Sequence, residues 1–268
     1  MTFLPTLDLR PCVILALALR GLDDASVPEG RLRRVIEILE DSSGTEVSRL
    51  LERRLFITGN RVVRVVPIKP NGTKLFWELL DFVHLQANLI GHGVLLCGAA
   101  NLGDAAVRVA FAVGPGIVET ERMRDDLADV PRVLVDAQLI LEVELNANLR
   151  APHHTPLDEL GYARSVLRED SDGLWFIDYL KAFQTEVDEP PMYLQFLEQH
   201  RQLIESKLKA STTLDRTSRG YTWLRSYHNR VIDELFDEKR LNEAERSRLR
   251  IPATSPLVYA FPPSALKP

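Results

Sequence analysis

The sequence predicts an α+β fold followed by a helical C-terminal region, and three observations carry that expectation. Cys12–Leu19 (CVILALAL) is a continuous apolar run with the length of a strand buried on both faces. Apolar residues recur at helical spacing in Leu32, Val35, Ile36 and Leu39, and again in Phe76, Leu79, Leu80, Val83, Ala87 and Ile90. After Pro152-His153-His154-Thr155-Pro156 the pattern turns helical. With 268 residues, 45% of them apolar, the chain can bury a substantial core.

Taken in order, the apolar run stops at Arg20-Gly21, and Pro28 suits the first turn of a helix reaching Glu40. A short helix is expected at Thr45–Arg54. Arg61–Ile68 (RVVRVVPI) reads as a strand, which Pro67 places at an edge or ends early. Asn71-Gly72 signals a turn before the helix Lys74–Ile90, which Gly91 and Gly93 close around His92. Val94–Asn101 and Val107–Val113 are expected as two strands hinged at Leu102-Gly103-Asp104. A helix over Gly116–Ala128 and a short strand Arg132–Asp136 follow. This order is that of a sheet with helices on one face. Pro152–Pro156 is the expected linker. Helices are expected at Pro191–Lys209, at Thr217–Phe236 and from Asn242, where Asn242 and Glu245 form a capping-box pattern. The tail Ile251–Pro268 carries five prolines and is expected to be irregular.

Lys plus Arg number 33 and Asp plus Glu 38, a net charge of −5. This argues against a protein that holds nucleic acid by phosphate neutralisation. No apolar stretch is long enough for a membrane helix, and Cys12–Leu19 lacks the flanks of a signal peptide. Cys12 and Cys97 stand far apart, outside any C-x-x-C pair, and read as buried free thiols of a cytoplasmic protein. The adjacent His153-His154 has no third ligand at helical spacing and reads as a loop pair. Asp125-Asp126 reads as a solvated helix face. The glycines around His92 do not form a phosphate loop, and no G-x-S-x-G elbow exists.

Three stretches carry a resemblance. Gly93-Val94-Leu95-Leu96-Cys97-Gly98-Ala99-Ala100-Asn101-Leu102-Gly103 follows a pattern G-V-L-x-R-G-A-I-T-x-G. Val113-Gly114-Pro115-Gly116-Ile117, running on to Arg124, follows F-G-P-A-L-x-x-A-Y-x-L-E, and Ala128–Asp136 follows A-x-x-P-R-I-x-x-D. Asp172–Leu180 and Tyr221–Asn229 add D-G-x-x-F-I-D-Y-L and K-Y-x-W-L-x-x-Y-H-N. Together they resemble the pyrimidine nucleotide cyclases of the Pycsar antiphage system, a branch of the class III nucleotide cyclases. The resemblance covers roughly residues 12 to 232.

The resemblance implies a class III cyclase-like, ferredoxin-like sheet over residues 12–150, with helices on one face. A helical region at 151–250 and a tail at 251–268 complete the chain. It implies a homodimer, or a heterodimer with a related cyclase, and a nucleoside triphosphate ligand contacted at Arg20, Gly21, Gly114, Pro115 and Arg132. In that family two aspartates hold two divalent metals, Mg or Mn, for attack of the ribose 3′-hydroxyl on the α-phosphate. This sequence departs there. Ala18 occupies the first aspartate position, and no aspartate lies between Asp41 and Asp81, where the second belongs. Cys97 replaces the arginine of R-G and Arg124 the glutamate of L-E. The expectation is therefore a pseudoenzyme of antiviral signalling with neither catalytic residues nor bound metal. The alternatives are an active cyclase making cyclic UMP or CMP with ligands relocated to Asp23, Asp24 or Glu46, and an interaction module that binds no nucleotide.

Overall fold

The apolar run becomes the central strand β1 (Arg10–Arg20) of a mixed eight-stranded sheet. A computed structural model describes residues 8–22, 27–44, 52–70, 72, 74–210 and 216–253. Residues Cys12–Leu17 are buried because strands flank β1 on both edges and helices cover both of its faces there. The further strands are β2 (Arg54–Thr58), β3 (Arg61–Pro67), β4 (Leu95–Val107), β5 (Ala112–Val113), β6 (Val133–Val135), β7 (Leu167–Glu169) and β8 (Trp175–Ile177). They stand in the order β2-β3-β1-β4-β6-β8-β7, with β5 paired to β4. β4 and β6 run parallel and the other pairs antiparallel. Pro67 ends β3 beyond the last residue that β2 covers, so its missing N–H breaks no ladder bond to β2.

The hairpin expected at Leu102-Gly103-Asp104 is not there. β4 runs unbroken through it and pairs with β1 along its length; the chain turns later, at 108–111. Gly103 serves packing instead: a Cβ on it would lie 2.4 Å from the Cα of Gly116. Gly116 belongs to helix α3 (Pro115–Leu127), which this glycine contact seats against β4. Ile117 of α3 then packs on Cys12, Ile14 and Val65.

The opposite face carries α1 (Glu29–Gly44) and α2 (Leu75–Ile90). Arg31 of α1 donates to the carbonyls of His92 and Gly93, at 2.6 and 2.7 Å, just past the end of α2. The helix expected at Thr45–Arg54 falls mostly outside the described residues, and Arg54 itself opens β2. The expected Asn71 turn is also outside them.

An ionic network, with Arg53, Arg64, Glu78 and Asp81 among its members, ties α2 to the sheet. Arg53 reaches Glu78 at 2.6 Å and Asp81 at 2.8 Å; Arg64 of β3 reaches the same two at 2.6 and 2.5 Å. Glu78 and Arg64 are almost fully buried. The charges balance, as burial of ions requires.

Residues 151–188 do not form a helical appendage. α4 (Ala137–Leu145) and a 3-10 turn (Ala147–Leu149) lead to α5 (Pro156–Ser165), after which β7 and β8 extend the sheet. These strands have three residues each, too few to show a period in the sequence. The short helix α6 (Tyr179–Thr185) closes this unit. Contacts divide the chain into Met1–Ala128 with Arg132–Asp188, and Asp129–Pro131 with Glu189–Pro268. The division sequence reasoning places near Arg150 thus falls at Asp188.

The expected linker histidines are structural in part. Glu159, fully buried in α5, accepts from the backbone N–H of Ala151 at 3.0 Å and of Phe76 at 3.4 Å, and meets His154 Nδ1 at 2.7 Å. It thereby caps the first turn of α2, whose own N-cap residue, Lys74, makes no side-chain cap. His154 stacks on Tyr162, while His153 is exposed.

The second unit contains α7 (Pro190–Ala210), α8 (Arg216–Asp237) and α9 (Glu243–Leu249). The capping box at Asn242 and Glu245 is present. His200 and His228 are fully buried, with their Nδ1 atoms 2.9 Å apart. His228 Nε2 donates to the Leu249 carbonyl at 2.9 Å, so its Nδ1 must accept and His200 Nδ1 must donate. Burial lowers His228 from 6.5 to about 4 and lowers His200 as well; Arg201 further opposes charge on His228, whereas the Leu249 bond and Glu198 favour it. The unfolded imidazoles therefore take up protons first on acidification. Stability should be flat above pH 6.5 and fall between 6.5 and about 4. Urea midpoints followed from neutral to acid pH check this, and His228→Asn should flatten the slope. A midpoint that stays constant through that window refutes it.

Candidate functional site

Alternation along β1 sends Cys12, Ile14, Ala16, Ala18 and Arg20 to the face on which α3 lies. α3 packs over the Cys12 end. Towards the other end the register sets Ala18 between Arg61 of β3 and Cys97 of β4, and Ala16 between Val63 and Ala99. Ala18, Val63 and Phe56 are half-buried and Arg61 is exposed. Cys97 is buried and its thiol donates to the Ala128 carbonyl at 3.4 Å. Arg20 lies two residues along from Ala18, diagonal to Arg61. Neither Arg20 nor Arg61 forms a side-chain hydrogen bond or ion pair among the described residues.

This patch does not fit a divalent metal. Mg and Mn require hard oxygen ligands, and the patch offers a methyl, a thiol, an isopropyl group and two guanidinium groups. Among the described residues no group of three or more His, Cys, Asp and Glu side chains is placed to hold a metal. The relocated ligands Asp23, Asp24 and Glu46 lie outside the described residues. The same patch suits an anion, because guanidinium forks match phosphate oxygens.

The five expected nucleotide-binding residues do not form one site. Arg20 pairs with Leu95 and Gly21 packs on Gly93, at one end of the ladder between β1 and β4. Gly114 packs on Asp104 and Ala105, nine residues along β4 from Leu95, which is roughly 30 Å at the rise of a strand. A Cβ on Gly114 would stand 2.4 Å from the Asp104 carbonyl oxygen, and Pro115 starts α3; both shape backbone. Arg132 is buried and spent on an ion-pair clamp to Asp170 and Asp172. Its hydrogen bonds hold the Asp172 carboxyl below its usual range. Asp178, in the same stretch, pairs with Arg168 at 2.6 Å and caps α6. Arg61, which sequence reasoning passed over, joins Arg20 instead. Only the pairing of β3 with β1 points to it.

A second concavity of about 830 Å³ lies beside α1 and α2, where Arg34, Lys74, Trp77, Asp81 and His84 line it. Burial lowers the Lys74 ammonium, which donates to the Asn148 carbonyl at 3.2 Å. Most of the other charges are spent on each other: His84 meets Glu186 at 3.2 Å, Arg34 meets Glu37, and Asp81 holds Arg53 and Arg64.

Among the described residues no helix is long and apolar enough to cross a membrane. No protein-family model matches the chain, and no curated protein matches it. Among solved structures, the adenylyl cyclase CyaB from P. aeruginosa is similar at a TM-score of 0.40 and 7% identity, over 63% of this chain and 94% of that one. A likeness of that degree carries no argument about activity.

Proposed function

We propose that this chain is a nucleotide-cyclase-like pseudoenzyme that binds a nucleotide through its phosphates without metal, and that it works as a regulatory or dimerising member of an antiphage signalling system. The observation that carries the reading is the register at Ala18. Where the resemblance requires metal-binding aspartates, the two strands offer Ala18 and Val63, and beside them stand Cys97 and two arginines that have no carboxylate partner among the described residues. Cyclisation would leave the triphosphate's developing charge without the metal-borne electrostatic stabilisation on which such catalysis depends. Binding requires less, because two guanidinium groups can hold phosphate oxygens directly. The retained motif residues are those that shape backbone or fasten elements together: Gly98, Gly103, Gly114, and Arg132 with Asp172. The half-buried Phe56, Val63 and Ala18 on this face would be covered by a second copy or a related chain.

Incubation of the pure protein with each nucleoside triphosphate and manganese tests the reading. The expected result is no cyclic product, with a nucleotide-dependent rise in melting temperature that Arg20→Gln with Arg61→Gln removes. Cyclic product that Asp23→Asn or Asp24→Asn abolishes would establish the relocated-ligand enzyme. No thermal shift with any nucleotide would favour the interaction module.

A further inference from the structure

We propose that the C-terminal helical unit holds a binding site for a small phosphate-bearing anion, in the basic cleft between α7, α8, α9 and the residues that follow α9. The cleft has a volume of about 700 Å³, within the usual range for small-molecule sites. Four arginines line it, Arg201, Arg225, Arg248 and Arg250, against a single carboxylate, Glu205. Counting Glu198 and Asp233, which hold Arg201 and Arg250, the arginines at the cleft exceed these carboxylates by one, in a protein whose net charge is −5.

Two of the four are anchored and therefore preorganised. Arg201 is held by Glu198 and Glu205, each at 2.8 Å, and Arg250 by Asp233. Arg248 is exposed and forms no ion pair or side-chain hydrogen bond among the described residues. It comes near enough to Glu198 to lower that carboxyl through space. The wall beyond is fixed by a two-way bond: Asn229 donates to the Ile251 carbonyl at 2.9 Å and accepts from its N–H at 2.8 Å. The hydroxyls of Ser226 and Ser247 also line the cleft. Planar guanidinium forks match the tetrahedral oxygens of a phosphate group, whereas the two hydroxyls already donate to the Thr222 carbonyl and to Glu243.

The site is separate from the Arg20–Arg61 patch and does not depend on nucleotide binding there. Calorimetric titration of the full chain with inorganic phosphate, and with a sugar phosphate, tests it at ionic strength held constant with chloride. Saturable binding is expected, with affinity about tenfold weaker in Arg248→Gln. Tighter binding of the sugar phosphate would mark an organic phosphate as the ligand; equal binding would mark free phosphate. Absence of saturable binding, or an affinity that Arg248→Gln leaves unchanged in a protein with the parent's melting temperature, overturns the proposal.

Discussion

Glu78→Ala is expected to destabilise the sheet-containing unit by about 3–5 kcal/mol, because it removes one partner of a buried ion network. The Glu78 carboxylate accepts from both Arg53 and Arg64, and Arg64 is 2% exposed. Without Glu78 the Arg64 guanidinium depends, among the described residues, on Asp81, which is 37% exposed and already bonded to it and to Arg53. A buried cation without adequate compensation pays its desolvation with little return. Thermal unfolding should show a fall in Tm of roughly 10 °C. Replacing Arg64 and Glu78 together by Met and Leu should recover most of the loss, since apolar side chains of similar volume avoid the desolvation altogether. A Glu78→Ala protein that melts with the parent would show that the network contributes nothing. A double variant no better than the single one would show that the loss is packing rather than charge.

Gly98→Ala is expected to cost at least about 3 kcal/mol, at the upper end for overpacking. Gly98 sits in β4 opposite Leu17 of β1 and Val133 of β6. An added Cβ would lie 2.1 Å from the Ala16 carbonyl oxygen and 2.9 Å from the Leu17 Cα. Both are main-chain atoms of a neighbouring strand, so relief requires the two central strands to separate. Gly161, inside α5 with open space around it, is the matched control. Its change to alanine should stabilise by about 0.5–1 kcal/mol through helix propensity. Equilibrium unfolding of both variants reads the contrast. An unchanged Gly98→Ala midpoint would mean that β1 and β4 do not approach as closely as described.

Both predictions depend on features visible in the sequence only after the fold is known. The apolar run Cys12–Leu19, the periodic helix Lys74–Ile90 and the capping box at Asn242 could be read directly, because strand burial, helical period and local capping leave patterns over a few residues. The three-residue strands β7 and β8 left none. Gly103 reads as a turn residue by composition, yet it is where α3 touches the sheet, and a residue type alone cannot separate a bend from a close approach. Glu159 caps a helix that begins 84 residues earlier, and the salt bridges of Arg64 cross from strand to helix. Such pairings have no local signature.

The candidate site divides in the same way. The sequence by itself determined that the chain is an α+β protein and that no aspartate stands at position 18 or between Asp41 and Asp81. Those are statements about residue type and spacing. Only the tertiary structure decided that Gly114 and Pro115 lie far from Arg20, that Arg132 is a buried clamp, and that Arg61 stands beside Ala18. The physical reason is the register of β1 against β3 and β4. Strand pairing brings together residues far apart in sequence, and a shift of one residue would send each of these side chains to the other face.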